Sequence, residues 1–515
     1  MSEGGFARAV LAAATALVCS SCLVGPDYKP PAMGVSAQWN APLERGLTTG
    51  PAPAPGQPDI GRLWWKSLGD PQLDDLIARA IAGNTDVKVA VARIHAARAA
   101  RKRTVAAFFP VLDSTVAYDR RRSSGAVTTT SREFNSYAAG FDSSWEIDLF
   151  GGLRRGTEQA GAELEAAEGD LGAVLVSILA EVALNYVEMR SLQARISIAE
   201  SNAESQRETL DLARWRFQAG LAGFLDVEQA DYNLAQTRSR IPALEIELAA
   251  ARNRIAVLLG LRAGSLDAGF ATRRPVPAPP PRVVVGLAAD LLRRRPDVAA
   301  AERRLAAATA AVGVATAELY PKLTLSGTFS IAATDVADLD SAAARAWSVG
   351  PALRWNLFDV GRIRGLIEQR SAESDAALAA WEAAVLAAGE EAENALVAYA
   401  REQERRDRLT EAHDAARRAQ ELARLQYENG LVDFQQVLEA QRATFGFEES
   451  LAVSEAAVIT HLVALYKALG GGWETVACDD DGCDGEVPAA LTSGAAPPSS
   501  PEPLRLQEPA PTQER

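Results

Sequence analysis

Two stretches of this chain repeat one another at a fixed offset, and no other feature narrows the possible folds as much. Leu212-Ala213-Arg214 with Phe217-x-x-Gly220-Leu221-x-x-Phe224-x-x-Val227-x-x-Ala230 returns 210 residues later as Leu422-Ala423-Arg424 with Tyr427-x-x-Gly430-Leu431-x-x-Phe434-x-x-Val437-x-x-Ala440. Trp145-x5-Gly151-x-Leu153-Arg154 returns at the same offset as Trp355-x5-Gly361-x-Ile363-Arg364. Pro110 matches Pro321, and Asp86-Val87 matches Asp297-Val298, one residue out of phase. Four landmarks within one residue of a common offset mean that two tandem units share one supersecondary plan.

Each unit reads as helix, strand, strand, very long helix, turn, helix. The first half has elements at about 70–105, 109–119, 135–148, 153–218 and 225–260. The second has them at about 286–316, 321–331, 346–358, 362–428 and 434–468. The domain plan is a segment 22–69, a first repeat 70–271, a linker 272–285, a second repeat 286–470 and an acidic, Pro-rich tail 471–515. Residues 41–58 read as loop, and 485–515 have a disordered composition.

The strands alternate apolar and polar residues. Tyr137, Ala139, Phe141, Ser143, Trp145 and Ile147 share one parity, and Asp142, Ser144 and Glu146 take the other. Leu323, Leu325, Phe329 and Ile331 alternate with Thr324, Ser326, Thr328 and Ser330, and Trp347, Val349, Leu353, Trp355 and Leu357 alternate with Ser348, Arg354 and Asn356. The first strand follows less cleanly, with Leu112, Val116 and Tyr118 against Asp113, Thr115 and Asp119. Period two gives one apolar and one polar face. Any one such strand also fits a half-buried sheet of a soluble protein, and Pro351 removes one ladder donor. Aromatics near strand ends, Tyr137, Trp145, Trp347 and Trp355, fit a membrane-interface girdle.

Four strands are too few to close a barrel, and an open edge in lipid strands unpaired backbone groups at several kcal/mol each. Several chains must therefore contribute, with three preferred over two. Each long helix, about 66 residues, would reach roughly 100 Å at 1.5 Å per residue, and two short ones end to end would match it. Leu171, Leu175, Ile178, Val182, Asn185, Met189, Leu192 and Ile196 form a 4-3-4-3 seam with one polar break, the mark of coiled-coil core. The fold class is thus a mixed α and β membrane protein of two helix–strand–strand–helix repeats, its strands in a barrel and its long helices in a cylinder below.

The N-terminus reads as a signal peptide, residues 1–21, with an apolar core from Ala9 to Val18 and a thin basic region at Arg8. Cys19-Ser20-Ser21-Cys22 is similar to a lipoprotein cleavage box, with Cys19 where Leu is usual, so Cys22 is the expected lipid-bearing residue. After it no run of 18–20 apolar residues predicts a membrane-spanning helix. Cys478 and Cys483 would form a small disulfide or remain free thiols.

A net charge of −14 disfavours nucleic acid, which needs clustered Lys and Arg. The three histidines, His95, His413 and His461, lie far apart, and no metal-ligand cluster, phosphate loop or nucleophile elbow is present. The chain is read as a non-enzyme without metal or cofactor. The loops 120–134 and 332–345 should face outside. Arg120, Arg121, Arg122 and Arg132 make the first basic, either for anionic surface sugars or as solvated charge.

These landmarks, together with Val24-Gly25-Pro26-Asp27-Tyr28, Trp64-Trp65, Leu68-Gly69-Asp70-Pro71 and Arg294-Arg295-Pro296-Asp297-Val298 with Ala301-Glu302, resemble the TolC-like outer-membrane factor family, especially its OprM/NodT-type efflux lipoprotein branch. The likeness runs from Cys22 to about Trp473. It implies a homotrimer whose four strands per chain complete a 12-stranded β-barrel above a long periplasmic α-helical barrel in the outer membrane of a Gram-negative bacterium. It also implies a periplasmic adaptor, an inner-membrane pump of the resistance-nodulation-division (RND) class, and outer-membrane lipids as partners, with Leu23 favouring outer-membrane sorting. Gly220, Leu221, Gly430 and Leu431 are then the adaptor-contact tips. Gate carboxylates of the family align with Gln436 and Glu439, where Gln436 departs from the pattern, and Asp226 holds the matching place in the first half. The competing reading is a structural, lipid-tethered periplasmic coiled-coil protein without an open pore.

Overall fold

The structure, a computed structural model, describes residues 23–34, 38–49, 63–122, 133–266, 268–285 and 293–475. The signal segment, Cys22, Arg132, Cys478 and Cys483 lie outside the described residues. The first half runs β1 (Leu47–Thr49), α1 (Pro71–Gly83), α2 (Thr85–Ala106), β2 (Val111–Arg122), β3 (Glu133–Ile147), α3 (Gly152–Gln218) and α4 (Phe224–Leu258). The second runs β4 (Val283–Val285), α5 (Pro296–Ala317), β5 (Lys322–Ala333), β6 (Arg345–Arg354), α6 (Val360–Glu428) and α7 (Phe434–Ala468).

The helix expected over 70–105 is broken into α1 and α2. Asn84 is extended (φ −61°, ψ 136°), and its Oδ1 accepts from the amides of Asp86 and Val87, capping α2. Its Nδ2 donates to the Leu258 carbonyl, 2.8 Å away, where α4 ends. Gly83 and Gly260 meet backbone to backbone here, since a Cβ on either would overlap the other segment. Apolar periodicity hid a break that Gly83-Asn84-Thr85 encodes. The helix expected from 286 is described from Pro296, which fits the first turn because it needs no donor there. The strand expected over 346–358 ends at Arg354, because the chain turns through Asn356 toward α6.

The long helices hold 67 and 69 residues, about 100 Å each at 1.5 Å per residue. α3 packs on α2 and α5, which lead into the strands, and on α4 and α7 farther away; α6 packs on α5 and α7. In the predicted α3 seam every apolar member is buried, and the half-buried Asn185 donates to the Glu181 carbonyl at 2.7 Å. α3 and α7 each contain a window long and apolar enough to cross a membrane, contrary to the expectation from sequence, but 61% and 56% of those windows are buried within the protein. A waist forms around Trp64 and Trp65, both buried, with Trp64 stacked on Tyr466 at 5.3 Å. There β1, inside the expected loop, pairs in parallel with β4, inside the expected linker, so the two halves are stitched together.

Candidate functional site

The four long strands form one antiparallel sheet in the order β2-β3-β5-β6, which leaves β2 and β6 as free edges. Paired residues share a face. Val116–Ala139–Ile331 and Tyr118–Tyr137–Ala333 are rows across it, as are Phe141–Phe329–Trp347 and Trp145–Leu325–Pro351. The alternating apolar positions of all four strands therefore fall on one side, and Asp113, Asp142, Thr328 and Ser348 line up on the other. That apolar side is uncovered, with Val116 85% and Trp347 74% exposed.

Aromatic residues mark both ends of this face. Trp145 donates its indole N–H to the Phe108 carbonyl at 2.8 Å, and Trp355 donates to the Leu319 carbonyl at 3.0 Å, each tying a strand to the end of the helix before it. Toward the other end stands Tyr137, whose ring lies 4.9 Å from that of Tyr118, whereas Trp347, expected at a border, lies in the row of Phe141 and Phe329 midway along the face. Tyr137 to Trp145 is eight residues, roughly 26 Å of strand, and Trp355 lies just past the end of β6. Beyond the outer row the ends of the expected loop 120–134 are strand, where Arg120 and Arg122 pair with Glu133 at 3.1 and 3.5 Å and Arg121 with Asp119 at 3.6 Å.

The segment after Cys22 lies as a strap against the helices just below the sheet. The Val24 amide donates to the Phe150 carbonyl at 3.3 Å, and Leu23 packs on Gly151. Arg155, 2% exposed, donates to the carbonyls of Val24 and Gly25 and to Asp27 and Glu158, the last two at 2.6 and 2.7 Å. Gly25 (φ +86°) lies on Gly313, where a Cβ would overlap backbone, and Tyr28 donates to Glu302 at 2.9 Å beneath the Arg303 guanidinium. Each residue of the Val24–Tyr28 motif except Pro26 thus has a defined contact. Arg295 of the second motif is buried, pairs with Asp297 and Glu391 at 2.7 and 2.8 Å, and caps the Ala468 carbonyl at 3.0 Å. It binds the start of α5 to α6 and to the C-terminal end of α7, where a cation is favoured.

At the far end, α3 and α6 stop in the same way. Gly220 and Gly430 are left-handed (φ +73° and +72°). Their amides bond to the carbonyls of Phe217 and Tyr427, and the amides of Leu221 and Leu431 reach back to Arg216 and Gln426. This is a Schellman motif, which satisfies the last carbonyls and exposes the following leucine. Both leucines project into solvent. Of the gate candidates, Gln436 and Glu439 share the exposed side of α7, where Gln435 donates to Glu439 at 3.1 Å. Asp226, in the first turn of α4, is half-buried near Tyr427. Sequence reasoning missed Arg155 and also Arg216, whose guanidinium lies 4.4 Å from the Tyr427 ring centre and donates to the Tyr427 carbonyl at 2.9 Å, because an arginine in a helix gives no local sign of what it will meet.

Among the described residues, no group of three His, Cys, Asp or Glu side chains is placed to hold a metal ion. The Outer membrane efflux protein profile matches residues 76–261 and 287–471, well over half of the chain. The chain belongs to the outer membrane efflux protein family. It is 32% identical over 461 residues to Nodulation protein T of Rhizobium leguminosarum bv. trifolii, covering 90% of this chain and 97% of that one. It is 32% identical over 459 residues to the pyoverdine export outer membrane protein OpmQ of Pseudomonas aeruginosa, covering 86% and 95%. Its fold matches the solved outer-membrane channel OprN with a TM-score of 0.83 at 40% identity, covering 88% of this chain and all of that one. This efflux protein is therefore an outer-membrane component of Gram-negative efflux machinery with a TolC-like channel fold, and its family consists of channels rather than enzymes.

Proposed function

We propose that this efflux protein is the exit duct of a tripartite export system, in which three copies close a 12-stranded barrel above a helical tunnel. The observation that carries this is the four-stranded sheet, with one uncovered apolar face and two unpaired edges. The face is unfavourable in water, and the edges are unfavourable in lipid. Joining β6 of one copy to β2 of the next removes every edge. The apolar face then meets lipid, Tyr137 sits at its outer border and Trp145 and Trp355 at its inner one, and Asp113 and Asp142 line the bore. The position of Leu23 beside Gly151 supports a lipid on Cys22 entering the inner leaflet at the foot of the barrel. The exposed leucines at Leu221 and Leu431 are the adaptor contacts, and an RND pump delivers the cargo. Relatives named for nodulation and for pyoverdine export match almost end to end, which supports a duct of broad tolerance with selection in the pump.

The purified mature protein should have the mass of three chains and give small, cation-favouring currents in a planar bilayer. A folded, lipidated monomer that never conducts would instead favour the pore-free periplasmic reading. Glu439 in three copies forms an acidic constriction, so Glu439→Ala should weaken cation block and selectivity; unchanged currents would remove it from the gate.

A further inference from the structure

The polar side of the sheet carries charges of opposite sign at two levels. Asp113 stands directly opposite Asp142, in one row with Thr328 and Ser348. Six residues nearer the helices along β5, roughly 20 Å of strand, Lys322 stands directly opposite Arg354 on the same side. Both cations are exposed. Neither side chain makes a hydrogen bond or ion pair among the described residues. Carboxylates near this row are engaged elsewhere. Asp148 accepts from Arg154 at 3.3 Å, and Glu318 lies 3.7 Å from Arg362. Glu146, opposite Thr324, is the diagonal neighbour of Lys322 and forms no ion pair with it.

Like charges directly opposite one another on a sheet repel, with Cβ atoms about 4.5–5.5 Å apart. The fold does not demand such a pair here. Pro321 matches Pro110, so Lys322 matches Val111, and Arg354 matches Ser144 at the 210-residue offset. Val111 and Ser144 are themselves paired across β2 and β3, and neither carries charge. Two unpaired cations this close suit one multiply charged oxyanion. The guanidinium can grip two oxygens side by side, and the ammonium adds a compact charge beside it.

We propose that Lys322 and Arg354 form an oxyanion subsite at the foot of the bore, one per chain, that takes phosphate esters and polycarboxylates. The bore then changes sign along its length, with cations favoured at Asp113 and Asp142 and polyanions at the foot. Placement in a bore rests on the trimeric reading, whereas the pair itself lies within one chain. The test is calorimetric titration of the full protein in detergent with inorganic tripolyphosphate, with its mass measured on the same sample. At about 0.1 M salt, Lys322→Gln/Arg354→Gln should weaken binding on the order of tenfold. The difference should shrink at about 1 M salt, where the screening length falls to about 3 Å. Val111→Lys/Ser144→Arg copies the pair into the first repeat and should raise the ions bound per chain from one to two. A folded double-Gln variant that binds as tightly as the natural sequence overturns the subsite, as does a natural sequence that binds no tripolyphosphate. The mass of a single chain, with the tenfold loss intact, overturns the trimeric reading and the bore placement alone.

Discussion

Replacing Arg155 by Ala should release the N-terminal strap while leaving the long helices folded. Arg155 makes two charge-assisted hydrogen bonds, to Asp27 at 2.6 Å and Glu158 at 2.7 Å, and donates to the carbonyls of Val24 and Gly25. Hydrogen bonds to charged groups contribute about 1.5–3 kcal/mol each, and removing one partner of a buried pair costs about 3–5 kcal/mol. Here the side chain of Asp27 is 75% exposed and that of Glu158 40% exposed, so water can take over the abandoned carboxylates. That places the loss near the lower end, about 2–4 kcal/mol for docking of the strap. Local opening should then rise roughly 30- to 700-fold at a tenfold change per 1.4 kcal/mol. Hydrogen exchange at the Val24 amide, which bonds to the Phe150 carbonyl, reads this directly. Exchange in the α3 core around Leu175 and Ile178 should stay slow. Unchanged protection at Val24, or equal loss at Leu175, would refute the assignment of Arg155 as a strap clamp.

Gly430→Ala forces a side chain into a left-handed position and should lower stability by about 1–2 kcal/mol in thermal unfolding, with Gly220→Ala similar because space around both is open. Trp355→Phe removes the donor to the Leu319 carbonyl and should cost about 1 kcal/mol, read as earlier heat dissociation of the assembled protein. The Tyr186 hydroxyl is pushed up to about 12 by burial and then by its bond to Asp70, and Tyr399 to about 12 by burial and then by Tyr466. Both raised values favour the neutral phenol in the fold. Their stabilisation is complete below the ordinary tyrosine value of about 10 and is lost as pH rises toward 12. Alkaline melts should show a fall in that window that is reduced in Tyr186→Phe.

The strands were readable because each shows period two, a property of the local chain, and register then only had to align four existing stripes. The tips were readable because Gly220 and Gly430 occupy a backbone region that other residues avoid. The strap motif was visible as a pattern, but its reason was not, since Arg155 lies far along the chain from the carbonyls it binds. β1 and β4 gave no signal, for three-residue strands form only when the folded halves meet. The inequality of the two aromatic pairs was also hidden. Phe217-x6-Phe224 and Tyr427-x6-Phe434 look alike as text, yet the second pair is buried, with Arg216 of the first hairpin over Tyr427, while the first is exposed.

The strap's upper end has a consequence for assembly. Leu23 rests beside Gly151, only four residues past the end of β3. On the proposed lipidation of Cys22, a newly arrived subunit would be tethered at the level where its sheet has to enter the bilayer. Its helices would hang away from the surface. Encounter between the three copies proposed above would then be a search in a plane rather than in a volume, among molecules that already share one up direction. The strap would thus confine and orient the partners before any strand has paired between them.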